Sequence, residues 1–414
     1  MISKKIYLES NNLKALFTSI VVMFLPFFIS FTLLKTTNYL LPLVAFAYII
    51  QTIIISRSYL RDKVYYKVII FTMMFMVIQV STIASNSLMG INTNYNDYIN
   101  LIAKTVNYFL LFGIMLNVKT TKEYIICFMK YMIIFAFIAC LYNIVTNWTL
   151  ILNLINITSS YQVDLKSFFP NRNQFGMFLF IAIVANNYRT LVGKKNSTYY
   201  MVNFLLIMNL LMTMSRGAIL ALLIFYIILF FQHLKNKKTL ISLIIILTAV
   251  VAVVFSNSQL RDFIVRNVVR ADAGVAGRLD VWEMGINVYS KSNLLNGVGF
   301  HTGIDIAKAA GFRFDQFHNF FIDILVSGGF IELMFMLITI LYVYRKVTKK
   351  CWDRNYKRIY KASMVAIIAL GFVESVSFFS IGFVDTIYTI FFITIPILAS
   401  NMMLPKGLGV DIAE

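Results

Sequence analysis

The chain has 414 residues, 59% of them hydrophobic and 13% charged, with a formal net charge of +19. A soluble domain carries nearer a quarter charged residues. The apolar runs are continuous and close to the ~20 residues that a membrane helix needs, which excludes a water-soluble globule and an alternating β-barrel. The positive charge follows from basic loops on one side of a bilayer, and no nucleic-acid partner is expected.

The pattern predicts an all-α, polytopic integral membrane protein of about twelve transmembrane helices. In chain order the spans fall near residues 13–34, 39–56, 67–85, 99–117, 123–146, 174–190, 198–214, 217–232, 239–255, 319–344, 360–379 and 384–403. Leu13–Leu34 is too long for a signal-peptide core, so no cleavable leader is expected. Only Met214-Ser215-Arg216-Gly217 separates the seventh span from the eighth. Cys127, Cys140 and Cys351 show no metal or redox spacing.

Loop charge sets the expected orientation. With the N-terminus in the cytoplasm, the inner loops hold clusters such as Lys235, Lys237 and Lys238, and the run from Arg345 to Lys361. The opposite loop, Asn86–Tyr98, holds neither Lys nor Arg. The organisation expected is helices one to nine over 1–255, an extracytoplasmic loop domain over 256–318, and helices ten to twelve with a cytoplasmic C-terminus over 319–414. Within the loop, residues 259–270 and 277–289 space their apolar side chains as amphipathic helices. Asn296-Gly297-Val298-Gly299 reads as a turn.

Charges within spans are costly and mark function or pairing. Lys104, Asp323, Glu374 and Asp385 share a depth towards the outer face, with Glu332 nearer the middle. That shared depth predicts a polar cavity open to the outside. No Walker loop, H-E-x-x-H or outer D-x-D motif occurs, so neither metal nor cofactor is expected. Arginine and histidine remain. Arg216 begins a span beside Gly217, Arg278 opens the second loop helix, and His318 stands where the loop enters the tenth span. Taken singly, such an arginine fits a lipid headgroup or a carboxylate, and such a histidine fits an interfacial residue. Asp315 precedes His318 by three positions and would orient its ring if that segment were helical.

Four segments in order carry a resemblance. They are Phe169-Pro170-Asn171-Arg172-Asn173-Gln174-Phe175-Gly176; Met214-Ser215-Arg216-Gly217-Ala218; Gly277-Arg278-Leu279-Asp280-Val281-Trp282 with Gly297-Val298-Gly299; and His318-Asn319-Phe320-Phe321 with Gly328-Gly329. Over about residues 165–345 the chain resembles the O-antigen ligase and polymerase superfamily, including Wzy-type polysaccharide polymerases. The resemblance implies a metal-independent glycosyltransferase at the outer face of the bacterial cytoplasmic membrane, working in O-antigen, lipopolysaccharide or capsule synthesis. Its donor and acceptor would be undecaprenyl-diphosphate-linked glycans, and a flippase and a chain-length regulator are partners the resemblance suggests. Arg216 and Arg278 match the family's diphosphate-binding arginines, His318 its essential histidine, and Asn173 the asparagine of an N-P-N-like segment in which Arg172 replaces the proline. Arg313, Asp315 and Asn319 are further candidates for substrate binding. A ligase is the alternative within the family. A lipid-linked glycan flippase is the rival outside it, disfavoured because no two related halves are visible.

The orientation has a direct test. Cysteine placed at 308 is expected to react with an impermeant thiol reagent in intact cells, and cysteine at 350 to be protected; the reverse pattern would overturn the topology.

Overall fold

The computed structural model describes residues 63–102, 104–105, 122–152, 165–188, 197–231, 256, 276–350, 354–375, 378 and 383–397. The expected spans 13–34, 39–56 and 239–255, most of 99–117, and the loop helix at 259–270 lie outside these residues. What is described is all-α; the only β feature among these residues is an isolated bridge between Asn293 and Gly297.

The helices are α1 (Lys63–Leu88), α2 (Lys122–Thr146), α3 (Trp148–Leu152), α4 (Arg172–Tyr188), α5 (Ser197–Met212), α6 (Arg216–Phe231), α7 (Ala276–Ser290), α8 (Phe300–Ala309), α9 (Phe320–Lys350), α10 (Arg354–Gly371) and α11 (Phe383–Thr389). A π-helical turn, Ile390–Thr394, continues α11. Among the described residues Ile70–Leu88, Met129–Thr146 and Phe320–Lys349 are long and apolar enough to cross a membrane. α5 and α6 are shorter apolar helices. Exposed Val77, Met201, Phe204 and Ile338 give these helices the greasy outer faces of a membrane protein.

α4 is the central helix. Every residue from Phe175 to Tyr188 is buried, and α2, α5, α6, α10 and α11 pack around it. Its entry is fixed locally: Asn171 Oδ1 accepts the Gln174 N–H at 2.9 Å and so caps the first turn. Phe168, Phe169 and Phe175 stack in series, with centroids 5.2 and 5.3 Å apart. The α5–α6 turn falls where expected, with Met214 at φ 51°. In the interior, polar side chains pair with each other. Asn143 Nδ2 donates to Asn209 Oδ1 at 3.1 Å between α2 and α5, and Asn203 Nδ2 donates to Tyr226 Oη at 2.8 Å between α5 and α6.

The segment between α6 and α9 is more structured than the sequence suggests. α7 matches the expected helix, but α8 was not anticipated. The turn at Asn296–Gly299 does more than reverse the chain. It docks into a break in α9, where Gly328 and Gly329 leave helical geometry, Gly329 at φ 67°. Val326 and Ser327 carbonyls accept the Val298 and Gly299 N–H groups, both at 2.9 Å. Phe330 and Ile331 N–H groups donate to the Leu294 and Leu295 carbonyls at 3.0 and 3.1 Å. The loop thereby pairs the backbone groups that the break frees, each of which would cost several kcal/mol unpaired in hydrocarbon. α1 grips the same loop from the other side. Thr82 Oγ1 donates to Asn296 O and Asn86 Nδ2 to Val298 O, both at 2.7 Å. Asp97 caps α8, accepting from His301 N at 2.9 Å and from Thr302 N at 2.8 Å.

Gly329 combines a left-handed φ with a backbone neighbour: an added Cβ would run into the Leu295 carbonyl. Gly311 has φ 92° but open space around it. Gly329→Ala is therefore expected to lose far more folded protein than Gly311→Ala, which bears only the left-handed strain of about 1–2 kcal/mol. Thermal stability of the two detergent-purified variants measures the difference; equal losses would show that the seam is dispensable.

Candidate functional site

The site forms around one carboxylate. Glu374 sits three residues beyond the end of α10, with its side chain only 4% exposed. An isolated buried carboxylate is strongly disfavoured, so its partners define the place. Arg278, in the first turn of α7, donates from Nη2 to Glu374 Oε1 at 2.9 Å. The same guanidinium donates from Nη1 to the Val373 carbonyl. Asn173, in the first turn of α4, places Nδ2 at 3.5 Å from the same Oε1. His318, just before α9, has Nδ1 at 3.8 Å from Oε2. Gly217, the second residue of α6, lies so close that an added Cβ would sit 2.7 Å from Glu374 Cγ. Glu374 thus meets the starts of four helices, α4, α6, α7 and α9. Each start presents the positive end of a helix dipole.

Each helix start is held there by small residues or caps. Gly176 of α4 packs on the α5–α6 turn, where an added Cβ would meet Ser215 Cβ at 2.8 Å. That contact presses the turn bearing Arg216 against α4. Asn319 caps α9, its Oδ1 accepting from Phe321 N at 3.0 Å and Ile322 N at 3.2 Å. Its Nδ2 donates to the Phe372 carbonyl at 3.1 Å, tying the α9 start to the Glu374 turn. His318 adopts φ 51°, a left-handed conformation uncommon for a non-glycine residue. Such an outlier persists where its neighbours over-determine it. Here Asn319 holds one side and the Phe317 N–H, donating to Asp323 Oδ1 at 3.2 Å, holds the other.

Of the residues singled out from sequence, His318, Arg278 and Asn173 converge on Glu374. Arg216 is half-buried at the start of α6, one residue from the Gly217 contact, and Arg172 is half-buried at the start of α4. Asn319 acts as a cap and tie. Arg313 is exposed. Asp315 departs from the expectation: residues 312–319 are not helical, and its carboxylate pairs with Lys308 Nζ at 2.5 Å on the surface. The partner at the ring is Gln316, whose Nε2 lies 3.1 Å from His318 Nδ1. Sequence reasoning marked Glu374 as an intramembrane charge but not as the centre of the site, and it passed over Gln316. The one available signal for Glu374 was a carboxylate at the end of an otherwise apolar run.

The side chains of Arg278 and His318 are 25% and 24% exposed, so both remain reachable while Glu374 does not. The arrangement suits an anionic ligand: a planar guanidinium fork and helix N-termini converge beside an imidazole, and the helix start at Gly217 carries Arg216 as the preceding residue. Behind it lies the cavity that the shared depth of charges predicted. It measures about 190 Å³, and Lys104, Asp323, Glu332 and Asp385 line it together with Gln316 and Ser375. Glu374 itself is not among its walls. Among the described residues no group of three or more His, Cys, Asp or Glu is arranged to hold a metal ion.

Residues 201–337 match the family model described as O-antigen ligase. The match runs from α5 through the Gly328–Gly329 break and takes in Arg216, Arg278 and His318. It bears out the resemblance to the O-antigen ligase and polymerase superfamily. No curated protein matches the chain.

Gly217→Ala tests the geometry without touching a charged group. The added methyl has to displace Glu374 or shift α6. Misplacement of about 1 Å is enough to cost up to about 100-fold in rate, so activity is expected to fall by one to two orders of magnitude in a normally folded variant. Wild-type turnover by Gly217→Ala would show that the position of Glu374 is immaterial.

Proposed function

We propose that the protein is a membrane glycosyltransferase that moves a glycan from a lipid-diphosphate donor, of the undecaprenyl type, to an acceptor hydroxyl at the outer face of the bacterial cytoplasmic membrane, with both termini inside. The observation that carries this reading is the grouping of Arg278, His318 and Asn173 around buried Glu374 at four helix starts. In the reaction the acceptor oxygen forms a bond to the anomeric carbon as the bond from that carbon to the diphosphate oxygen breaks. The electron pair leaves with the diphosphate, and the acceptor proton goes to a base.

Arg278 uses two N–H groups on Glu374 and Val373. The remaining N–H groups of its five are available to the departing diphosphate. Arg216 and the helix starts add fixed positive potential where negative charge develops. His318 is the base. A base at Nε2 needs the proton on Nδ1, and Glu374 Oε2, 3.8 Å from Nδ1, favours that tautomer. Asn173 and Asn319 position Glu374 and the α9 start, while Arg172 and Arg313 offer further cations for a diphosphate.

The acceptor we assign is the next lipid-linked repeat unit, which makes the protein a polymerase of O-antigen or capsular polysaccharide. A ligase acting on a different acceptor is the second reading, favoured by the description of the matching family. Purified full-length protein in lipid, given a synthetic diphosphate-linked repeat unit, separates the two. A polymerase yields a ladder of longer lipid-linked chains; a ligase needs the second acceptor; a flippase lengthens nothing.

His318→Ala is expected to fold and bind donor while slowing transfer by about 10²–10⁴. A wild-type rate in that variant would end the base assignment. Arg278→Lys keeps the charge but loses the fork, and both its donor affinity and turnover are expected to stay well below wild type. Donor binding and transfer measured side by side decide it; full function in Arg278→Lys would mean that positive potential alone is enough.

A further inference from the structure

The cavity behind His318 differs in charge from the site in front of it. Asp323, Glu332 and Asp385 line it against the one cation Lys104, so its lining is acidic where the Arg278 side is basic. A leaving diphosphate is repelled there. At about 190 Å³ the space is far larger than a single water needs. Phe300, Phe320 and Phe378 supply apolar walls, and the carboxylates converge among them. A few polar groups set in an apolar pocket is the general form of a small-molecule site.

Glu332 shows unmet hydrogen-bonding capacity. It is 2% exposed, and although Lys104, Gln79 and Ser327 lie near its carboxylate, Oε2 has no hydrogen-bond donor in close geometry among the described residues. Ser375 Oγ, also buried, lines the cavity beside the Asp323 carboxylate. An unpaired buried carboxylate oxygen is expensive and calls for a donor. Ser327 lines the cavity at the break in α9, so the loop seam forms part of its wall. Gln316 belongs both to the cavity wall and to the His318 ring contact. Gln316 therefore links the cavity to the imidazole.

We propose that this cavity is the acceptor subsite, receiving a sugar ring of the acceptor glycan that presents hydroxyl or amino donors to Glu332, Asp385 and Ser375. The proposal rests on the glycosyl-transfer reading and adds to it the place and chemistry of the acceptor. It divides the site in two, a basic chamber for the donor diphosphate and an acidic chamber for the acceptor ring, with His318 between them. Asp323 both walls the cavity and accepts the Phe317 N–H, so the chamber and the histidine share one support.

The test uses the full-length chain in lipid nanodiscs, with Cys127, Cys140 and Cys351 replaced and Asn100→Cys introduced on the cavity wall. Lipid-free repeat-unit glycan is expected to slow maleimide labelling of that cysteine, and undecaprenyl diphosphate alone to leave it unchanged. Slowing by the diphosphate alone, or no slowing by saturating glycan, overturns the proposal. Protection of that cysteine by glycan, together with no transfer by the wild-type chain, would support a glycan cavity and overturn the transfer reading. In kinetics, Glu332→Gln is expected to raise the acceptor KM roughly tenfold, as for a lost charge-assisted hydrogen bond, while the donor KM stays fixed. A change confined to the donor KM, or none in either, overturns the assignment. Should Glu332→Gln fail to fold, the labelling arm decides alone.

Discussion

A carboxylate buried to 4% needs its charge answered, and the Arg278–Glu374 pair answers it across nearly a hundred residues of sequence. Removing one partner of such a pair strands the other, at a penalty of about 3–5 kcal/mol. The pair therefore holds α7 against the end of α10. Through Glu374 the same constraint reaches Asn173 on α4, Gly217 on α6 and His318 before α9. The helices need no common sequence pattern to meet there. They need small residues and caps at their starts, and Gly176, Gly217, Asn171 and Asn319 supply them.

A second constraint concerns polarity at depth. Lys104, Glu332 and Asp323 cannot face lipid without a large penalty, and they face one another across a cavity instead. The break in α9 lies along the same wall. Its freed backbone groups are paired by Leu294–Gly299, and those residues are held by α1 through Thr82 and Asn86. The loop, α1 and the cavity share one polar region, joined at Ser327.

Much of the site was legible in the sequence because its parts are local. Arg216 beside glycine, Arg278 at a helix start and His318 at a loop–span junction each declare themselves within a few residues. The ends of helices α4, α5 and α6 were legible to within about two residues for the same reason, since apolar runs and charged ends are local signals. Glu374 was legible as a charge and not as a hub, because its partners come from four distant segments. α8 escaped because Phe300–Ala309 is short, and its cap, Asp97, lies about two hundred residues earlier. Asp315 misled because its spacing from His318 matters only in a helix, and the chain there bends without forming one. The seam at Gly328–Gly329 left only a glycine pair in the sequence, with nothing to indicate what it would bond.

That seam bears on how the chain is made. A broken helix entering hydrocarbon without its bonding partner is penalised at every freed backbone group. Translation proceeds from α1 to the loop and then to α9, and domains assemble in that direction during synthesis. The docking segment and its α1 brace therefore exist before the break emerges from the ribosome. Reversing that order, as a circular permutation between α8 and α9 would, presents the translocon with α9 while its complement is still unmade.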